Sequence, residues 1–127
     1  MITDRIDNIT RIPENYRNTT PPPPKSVKIE ITGKCNYRCG FCPLLTRETA
    51  GKEMDWDLFK EITIEMKAIG VEEIGVFFMG ESFTSPAILI KAIKHLKDIG
   101  VPYVFLTSNA SKEIGRASCR ERVYTVV

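Results

Sequence analysis

The chain has 127 residues, of which 43% are hydrophobic and 27% are charged, a composition that suits one soluble domain or part of a larger one. The formal net charge is only +2, which excludes the broad basic surface of a nucleic-acid-binding protein. No apolar run approaches the ~20 residues of a membrane span and the charged N-terminus lacks a secretory signal, so we expect a protein of the reducing cytoplasm without membrane contact.

Residues 1–25 are predicted to form an extension that ends in a proline-rich spacer. The four prolines at 21–24 favour a stiff extended segment, because proline fixes φ and has no backbone N–H to donate. A ligand for a proline-recognition domain is the alternative interpretation of this run.

Three predicted strands follow, at residues 27–31, 73–78 and 103–106, each with the apolar pattern of a buried strand. The sequence KAIGV at 67–71 recurs as KDIGV at 97–101, one strand–helix unit later. Such a repeat is typical of the strand–helix units of a parallel sheet or barrel. We therefore predict an α/β fold in which residues 26–111 form the first three units of a TIM-type β/α barrel, truncated because a closed barrel needs far more chain.

Two helices are predicted between these strands. The first begins at the N-cap Asp55 and ends at Gly70; the second begins at Ser85, with Pro86 in its first position, and ends at Gly100. Each presents an apolar stripe at helical spacing. The stripes consist of Leu58, Phe59, Ile62, Met66 and Ile69 in the first helix, and of Ile88, Leu89, Ala92, Ile93, Leu96 and Ile99 in the second.

Residues 112–127 are predicted to be a non-native tail. The segment EIGRASCRERV at 113–123 resembles the conceptual translation of a sequencing-adapter oligonucleotide, and the strand–helix pattern stops just before it. A polar C-terminal tail is the alternative. On the first interpretation the segment is no part of the native fold, and Cys119 has no functional role.

The other three cysteines, Cys35, Cys39 and Cys42, fall within one loop with the spacing C-x3-C-x2-C. Thiolates are soft ligands that suit iron–sulfur clusters or zinc, but structural zinc sites and self-sufficient clusters take four protein ligands. The one histidine, His95, is predicted to face solvent from the second helix. Three thiolates leave one iron of a four-iron cluster without a protein ligand, which is the open site that a catalytic metal centre keeps.

The stretch Cys35-Asn-Tyr-Arg-Cys39-Gly-Phe-Cys42 resembles the C-x3-C-x-aromatic-C motif of the radical S-adenosylmethionine (radical SAM) superfamily. This resemblance implies that the cysteines hold a [4Fe-4S] cluster whose open iron binds S-adenosylmethionine, with Phe41 beside the adenine. It also implies reductive cleavage of S-adenosylmethionine to a 5′-deoxyadenosyl radical, which abstracts a hydrogen atom from a substrate. The electron donor would be a protein such as flavodoxin or ferredoxin.

The loop Met79-Gly80-Glu81-Ser82 follows the second predicted strand and resembles the GGEP motif of that family. Met79 stands in place of the first glycine and Ser82 in place of the proline. The resemblance implies that this loop receives the amino group of S-adenosylmethionine, since glycine permits close backbone approach and a carboxylate accepts from an ammonium group. A solvated loop acid is the alternative interpretation of Glu81.

The third predicted strand ends in Leu106-Thr-Ser-Asn109, which resembles the T-N-G-type strand end of the family. Asn109 is interpreted either as a cofactor contact or as a turn residue. Arg47, Lys52 and Glu53 are predicted to lie in a solvated loop, with contact to a substrate as the alternative.

The sequence leaves the substrate and its catalytic residues unknown. Residues 28–35 and 78–83 resemble both enzymes that act on nucleoside-sugar carboxylates and peptide-modifying members with an auxiliary-cluster domain, so the substrate is predicted to be a small molecule or a peptide. A non-catalytic module, holding a metal or an electron-transfer cluster on its cysteines, is the alternative function.

Overall fold

The computed structural model of the protein describes residues 13–111 and 123–125. The strands are β1 (Ser26–Lys28), β2 (Glu73–Gly75), β3 (Tyr103–Thr107) and β4 (Val123–Thr125), and the α-helices are α1 (Trp56–Ala68) and α2 (Pro86–Asp98). Short 3-10 helices lie at Glu14–Tyr16, Pro43–Thr46 and Ser82–Thr84. The strands form one sheet in chain order, in which β1, β2 and β3 are parallel and β4 is antiparallel to β3. The predicted α/β class with parallel strands is confirmed. Neither of these two helices is long and apolar enough to cross a bilayer.

The first two strands are shorter than predicted, but their hydrogen bonding continues past their ends. The backbone N–H of Ile29 donates to the carbonyl oxygen of Gly75 (2.7 Å), and that of Val76 donates to Phe105 (3.1 Å). Beyond these bonds, the segments that continue β1 and β2 leave the regular pattern of sheet hydrogen bonds. The residues released there form the cysteine loop and the loop after β2.

The core lies between one face of the sheet and the two helices. Alternate residues of the strands and of the segments that continue them are buried there with residues from both helices. They are Ile29, Ile31, Ile74, Val76, Val104 and Leu106 from the strands and their continuations, and Phe59, Leu89, Ala92 and Leu96 from the helices. Leu58 and Ile69 of the predicted α1 stripe are 49% and 58% exposed, so the prediction is wrong for these two. A sheet of few strands covers only a narrow part of the helix surface, and the edges of the stripe stay outside it.

The predicted helix ends agree with the structure. The Asp55 carboxylate accepts from the backbone N–H of Leu58 (2.9 Å) at the start of α1, and Gly70 and Gly100 follow the two helices with φ of +96° and +77°. Ser85 occupies the N-cap position of α2 but makes no side-chain cap. Its hydroxyl donates instead to Glu53 (2.8 Å), so the start of α2 is tied to the segment before α1.

His95 of α2 does not face solvent as predicted. It is half-buried, with Nε2 3.0 Å from the hydroxyl of Thr63 on α1. Its ring packs edge-on against Trp56 and Phe59, at centroid distances of 5.7 and 5.9 Å. Burial lowers the pKa of His95 below its ordinary value. The prediction rested on the lysines that flank His95 in the sequence. It is wrong because the aromatic partners of His95 come from α1, which the local sequence of α2 does not reveal.

Two ends of the chain lie partly outside the described residues. Residues 1–12, 112–122 and 126–127, and with them Cys119, are not described, and the proline run at 21–24 has neither helix nor strand. Residues 123–125, predicted to belong to a non-native tail, pair with β3 as β4. An edge strand offers unpaired backbone groups to any extended segment, which explains how this pairing arises without a strand pattern in the sequence.

Candidate functional site

The carboxyl ends of the parallel strands border one cavity of about 620 Å³. This is the edge where parallel α/β folds place their sites. Two predicted site residues, Glu81 and Ser82, are buried outside its lining, and the Ser82 hydroxyl donates to the carbonyl oxygen of Val76 (2.7 Å). The predicted site residues that do line the cavity are Cys35, Cys39, Phe41, Cys42, Met79, Gly80 and Asn109.

The three cysteines face this cavity as free thiols, Cys39 exposed and the other two half-buried. The backbone N–H of Tyr37 donates to Cys35 Sγ (3.4 Å). Across residues 13–111 and 123–125, no three His, Cys, Asp or Glu side chains are close enough together to hold a metal ion, so ligation requires these thiols to move closer to one another. The chemistry of these ligands fits an iron–sulfur cluster, because such a cluster is held by soft thiolate ligands and this loop supplies three free thiols.

Apolar side chains make up much of the remaining wall. Phe41 is 92% exposed and Phe78 is 58% exposed, and both line the cavity with Phe77 and Leu44. Exposed rings beside a cavity can stack on a flat aromatic group of a ligand. The wall thus combines thiols on one side with aromatic surface on another.

Glu81 is a buried residue, only 2% exposed, so the interpretation as a solvated loop acid is wrong. Its Oε1 accepts from the backbone N–H of Phe83 (3.0 Å) and from the hydroxyl of Ser108 (3.0 Å). Its Oε2 accepts from the backbone N–H of Asn109 (2.7 Å). The carboxylate therefore joins the loop after β2 to the end of β3.

Asn109 lies just beyond β3 and forms the turn that the sequence suggested, while its contact with a cofactor stays a prediction. Its Oδ1 accepts from the backbone N–H of Ser111 (3.0 Å), the local bond of an Asx turn. Its Nδ2 donates to Asn36 Oδ1 (3.1 Å) and lies 4.0 Å from Cys35 Sγ. The turn residue thus also links the end of β3 to the cysteine loop.

Arg47 is not a solvated loop residue as predicted, because it forms a two-bond ion pair with Glu30. Nη1 donates to Oε2 (2.8 Å) and Nη2 donates to Oε1, and the two side chains are 21% and 18% exposed. The hydrogen bond to Glu30 raises the pKa of Arg47, and the nearby Cys42 acts in the same direction. The pair anchors the segment that follows the cysteine loop to the end of β1.

Glu53 makes a second link of this kind. Its Oε1 accepts from Lys34 Nζ (2.7 Å) and from the Ser85 hydroxyl (2.8 Å), and the bond from Lys34 lowers the pKa of Glu53. Lys34 immediately precedes Cys35, so Glu53 connects the start of the cysteine loop to the start of α2. These links join residues far apart in the chain, and the local sequence pattern carries no signal for them.

Comparison with known proteins relates this site to one family. The chain matches the Radical SAM superfamily over residues 29–119. It is 33% identical over 86 residues to the PqqA peptide cyclase of Bradyrhizobium diazoefficiens, and 30% identical over 86 residues to that of Rhodopseudomonas palustris. Each match covers 67% of this chain and 22% of the relative, so the chain spans about a fifth of the length of these curated relatives. No solved structure matches it significantly.

Proposed function

Since the chain belongs to the radical SAM superfamily, whose members use a [4Fe-4S] cluster and S-adenosylmethionine, we propose that it is the cofactor-binding part of a radical SAM enzyme. Cys35, Cys39 and Cys42 are the proposed cluster ligands. The cluster, when bound, supplies the electron that cleaves S-adenosylmethionine to methionine and a 5′-deoxyadenosyl radical for hydrogen abstraction from a substrate.

One observation carries this proposal: the three thiols, Phe41 and Gly80 line a single cavity at the carboxyl ends of parallel strands. Three thiols give a four-iron cluster one iron without a protein ligand. A cofactor that binds there needs room beside the cysteine loop, and the cavity has about 620 Å³.

The other lining residues have proposed roles in holding S-adenosylmethionine. Phe41 and Met79 offer apolar surface to the adenine and the methionine chain, because thioether and aromatic groups adapt well to such ligands. Gly80 lines the cavity, and its backbone is proposed to receive the amino group. Asn109 presents an amide to the same space, while Ser82 supports the loop through its bond to the backbone of β2.

We propose a peptide substrate, because the relatives described above are named peptide cyclases. The resemblance to enzymes of nucleoside-sugar carboxylates has no such support. An electron donor such as flavodoxin or ferredoxin is proposed to dock beside the cysteine loop, where Tyr37 and Arg38 are exposed and the arginine attracts an acidic partner. The unpaired thiols suit a reducing cytoplasm.

The full 127-residue chain provides the test. After anaerobic reconstitution with iron and sulfide, reduction in the presence of S-adenosylmethionine should release 5′-deoxyadenosine and methionine, detected by liquid chromatography with mass spectrometry. Omitting the reductant is the control and should leave S-adenosylmethionine intact. A chain that holds a cluster yet leaves the cofactor intact under reduction would instead be an electron-transfer module.

A further inference from the structure

Glu81 joins the segments that follow all three parallel strands. It lies in the loop after β2, and its backbone N–H donates to the carbonyl oxygen of Lys34 (2.8 Å), which directly precedes Cys35 in the segment after β1. Its carboxylate accepts from Ser108 and Asn109, just beyond β3. No other contact described above joins these three segments through one residue.

The carboxylate of Glu81 is buried, and both of its oxygens accept hydrogen bonds from the protein. It is 2% exposed, and no lysine or arginine among the described residues forms an ion pair with it. A buried carboxylate is costly unless hydrogen bonds replace its water, and here three donors do so, two on Oε1 and one on Oε2. The side chain also lies outside the cavity lining.

We propose that Glu81 is a positioning residue that holds the end of β3 against the cysteine loop, and that it does not bind the amino group of S-adenosylmethionine directly. The bond to the Asn109 N–H fixes the backbone from which the Asn109 amide reaches Asn36 and the neighbourhood of Cys35. The part of this inference that concerns the cofactor rests on the proposed function.

The variant E81Q tests the positioning role. An amide has one oxygen and one NH2 group, so it cannot accept on both sides as the carboxylate does. If its oxygen keeps the two donors on Oε1, its NH2 group faces the Asn109 N–H, which loses its acceptor. S108A is the control, because it leaves the bond between Oε2 and Asn109 in place. It removes one donor to Oε1 and the acceptor of the Ala110 N–H (2.9 Å).

Amide hydrogen exchange of the cluster-free 127-residue chain, followed by nuclear magnetic resonance, is the first readout. We expect the Asn109 amide to exchange roughly tenfold to a hundredfold faster in E81Q, the range that corresponds to loss of one bond to a charged acceptor. S108A should stay near the native rate. An Asn109 amide that exchanges at the native rate in E81Q, or equally fast in both variants, overturns the proposal.

The second readout uses the reconstituted chain. E81Q should keep the native iron content but need more S-adenosylmethionine for half of the change in the electron paramagnetic resonance signal of the reduced cluster. A purely structural role would lower the iron content instead and overturn the proposal. If the native chain assembles no cluster, the proposed function fails, and the exchange of Asn109 still decides the role of Glu81.

Discussion

Gly80 packs directly on the backbone of Thr32. A Cβ built at position 80 would lie 1.9 Å from the Thr32 carbonyl oxygen and 3.1 Å from that of Lys34, far inside van der Waals contact. The neighbouring atoms belong to the backbone, which cannot rotate away as a flexible side chain can. The loop after β2 therefore lies against the chain that leads into Cys35, and this approach requires glycine.

Replacing Gly80 with alanine should destabilise the chain by about 1–3 kcal/mol, the usual cost of forcing extra volume into a packed site. The free energy of unfolding from urea titration measures this. G40A is the matched control in the cysteine loop, because a Cβ at Gly40 meets no atom within 4 Å and should change stability by less than about 0.5 kcal/mol. Equal effects of the two substitutions would mean that the contact with Thr32 does not restrict position 80.

Removing either partner of the Arg47–Glu30 pair should also destabilise the fold. Because both groups are mostly buried, R47M and E30M each leave a charged partner without its ion pair, at an expected cost of about 1–3 kcal/mol. The double variant R47M/E30M removes both groups and should lose less than the sum of R47M and E30M. Urea titrations of the single and double variants form the cycle, and strict additivity would show that the pair contributes no coupling.

The half-buried His95 predicts a pH dependence of stability. Its pKa in the folded chain is below its ordinary value of 6.5, since burial outweighs the opposing charge of Asp98, and Lys60 adds to the lowering. The unfolded chain then binds more protons as the pH falls. The stabilising contribution of neutral His95 to the fold is therefore present above pH ~6.5 and is lost as the pH drops through the pKa of His95 in the folded chain.

We expect the melting temperature to fall between pH ~7.5 and ~5.5, a window in which histidine titrates and most carboxyl groups do not. H95Q is the control, because glutamine can keep a bond to Thr63 without titrating. Thermal melts followed by circular dichroism measure both proteins. The same slope in H95Q would assign the pH dependence to another group.

Local signals in the sequence were sufficient for the helix ends and for the order of the elements. Asp55, Gly70 and Gly100 act within one turn of the chain, so their roles can be predicted without tertiary structure. The aromatic surroundings of His95 and the bonds of Glu81 involve residues from other elements. Ser85 shows the limit, because its position as an N-cap was predicted correctly while its hydroxyl bonds to Glu53.

For the candidate site, the sequence likewise indicated which loops take part but not the contacts between them. The spacing of the cysteines and the strand ends indicated which loops meet, and seven of the nine predicted site residues line one cavity. The burial of Glu81 and Ser82 was not predictable, because their partners Asn109 and Val76 lie just beyond strands whose register the sequence does not specify.

Cysteine substitutions should separate the three loop thiols from the fourth cysteine. C35A, C39A and C42A each remove a proposed ligand, so each should lose most of its iron after anaerobic reconstitution. C119A should keep the native iron and sulfide content, since the proposal gives Cys119 no role. Colorimetric iron and sulfide assays measure all four variants. A loss in C119A as large as in the others would indicate a fourth thiolate ligand.

The central claim is that one iron of the cluster is free of protein ligands and binds S-adenosylmethionine. Electron–nuclear double resonance of the reduced chain, with S-adenosylmethionine carrying nitrogen-15 in its amino group, tests this directly. We predict a hyperfine coupling between that nitrogen and the cluster, absent when the labelled cofactor is omitted. A reduced cluster that shows no coupling to the bound label would contradict the account.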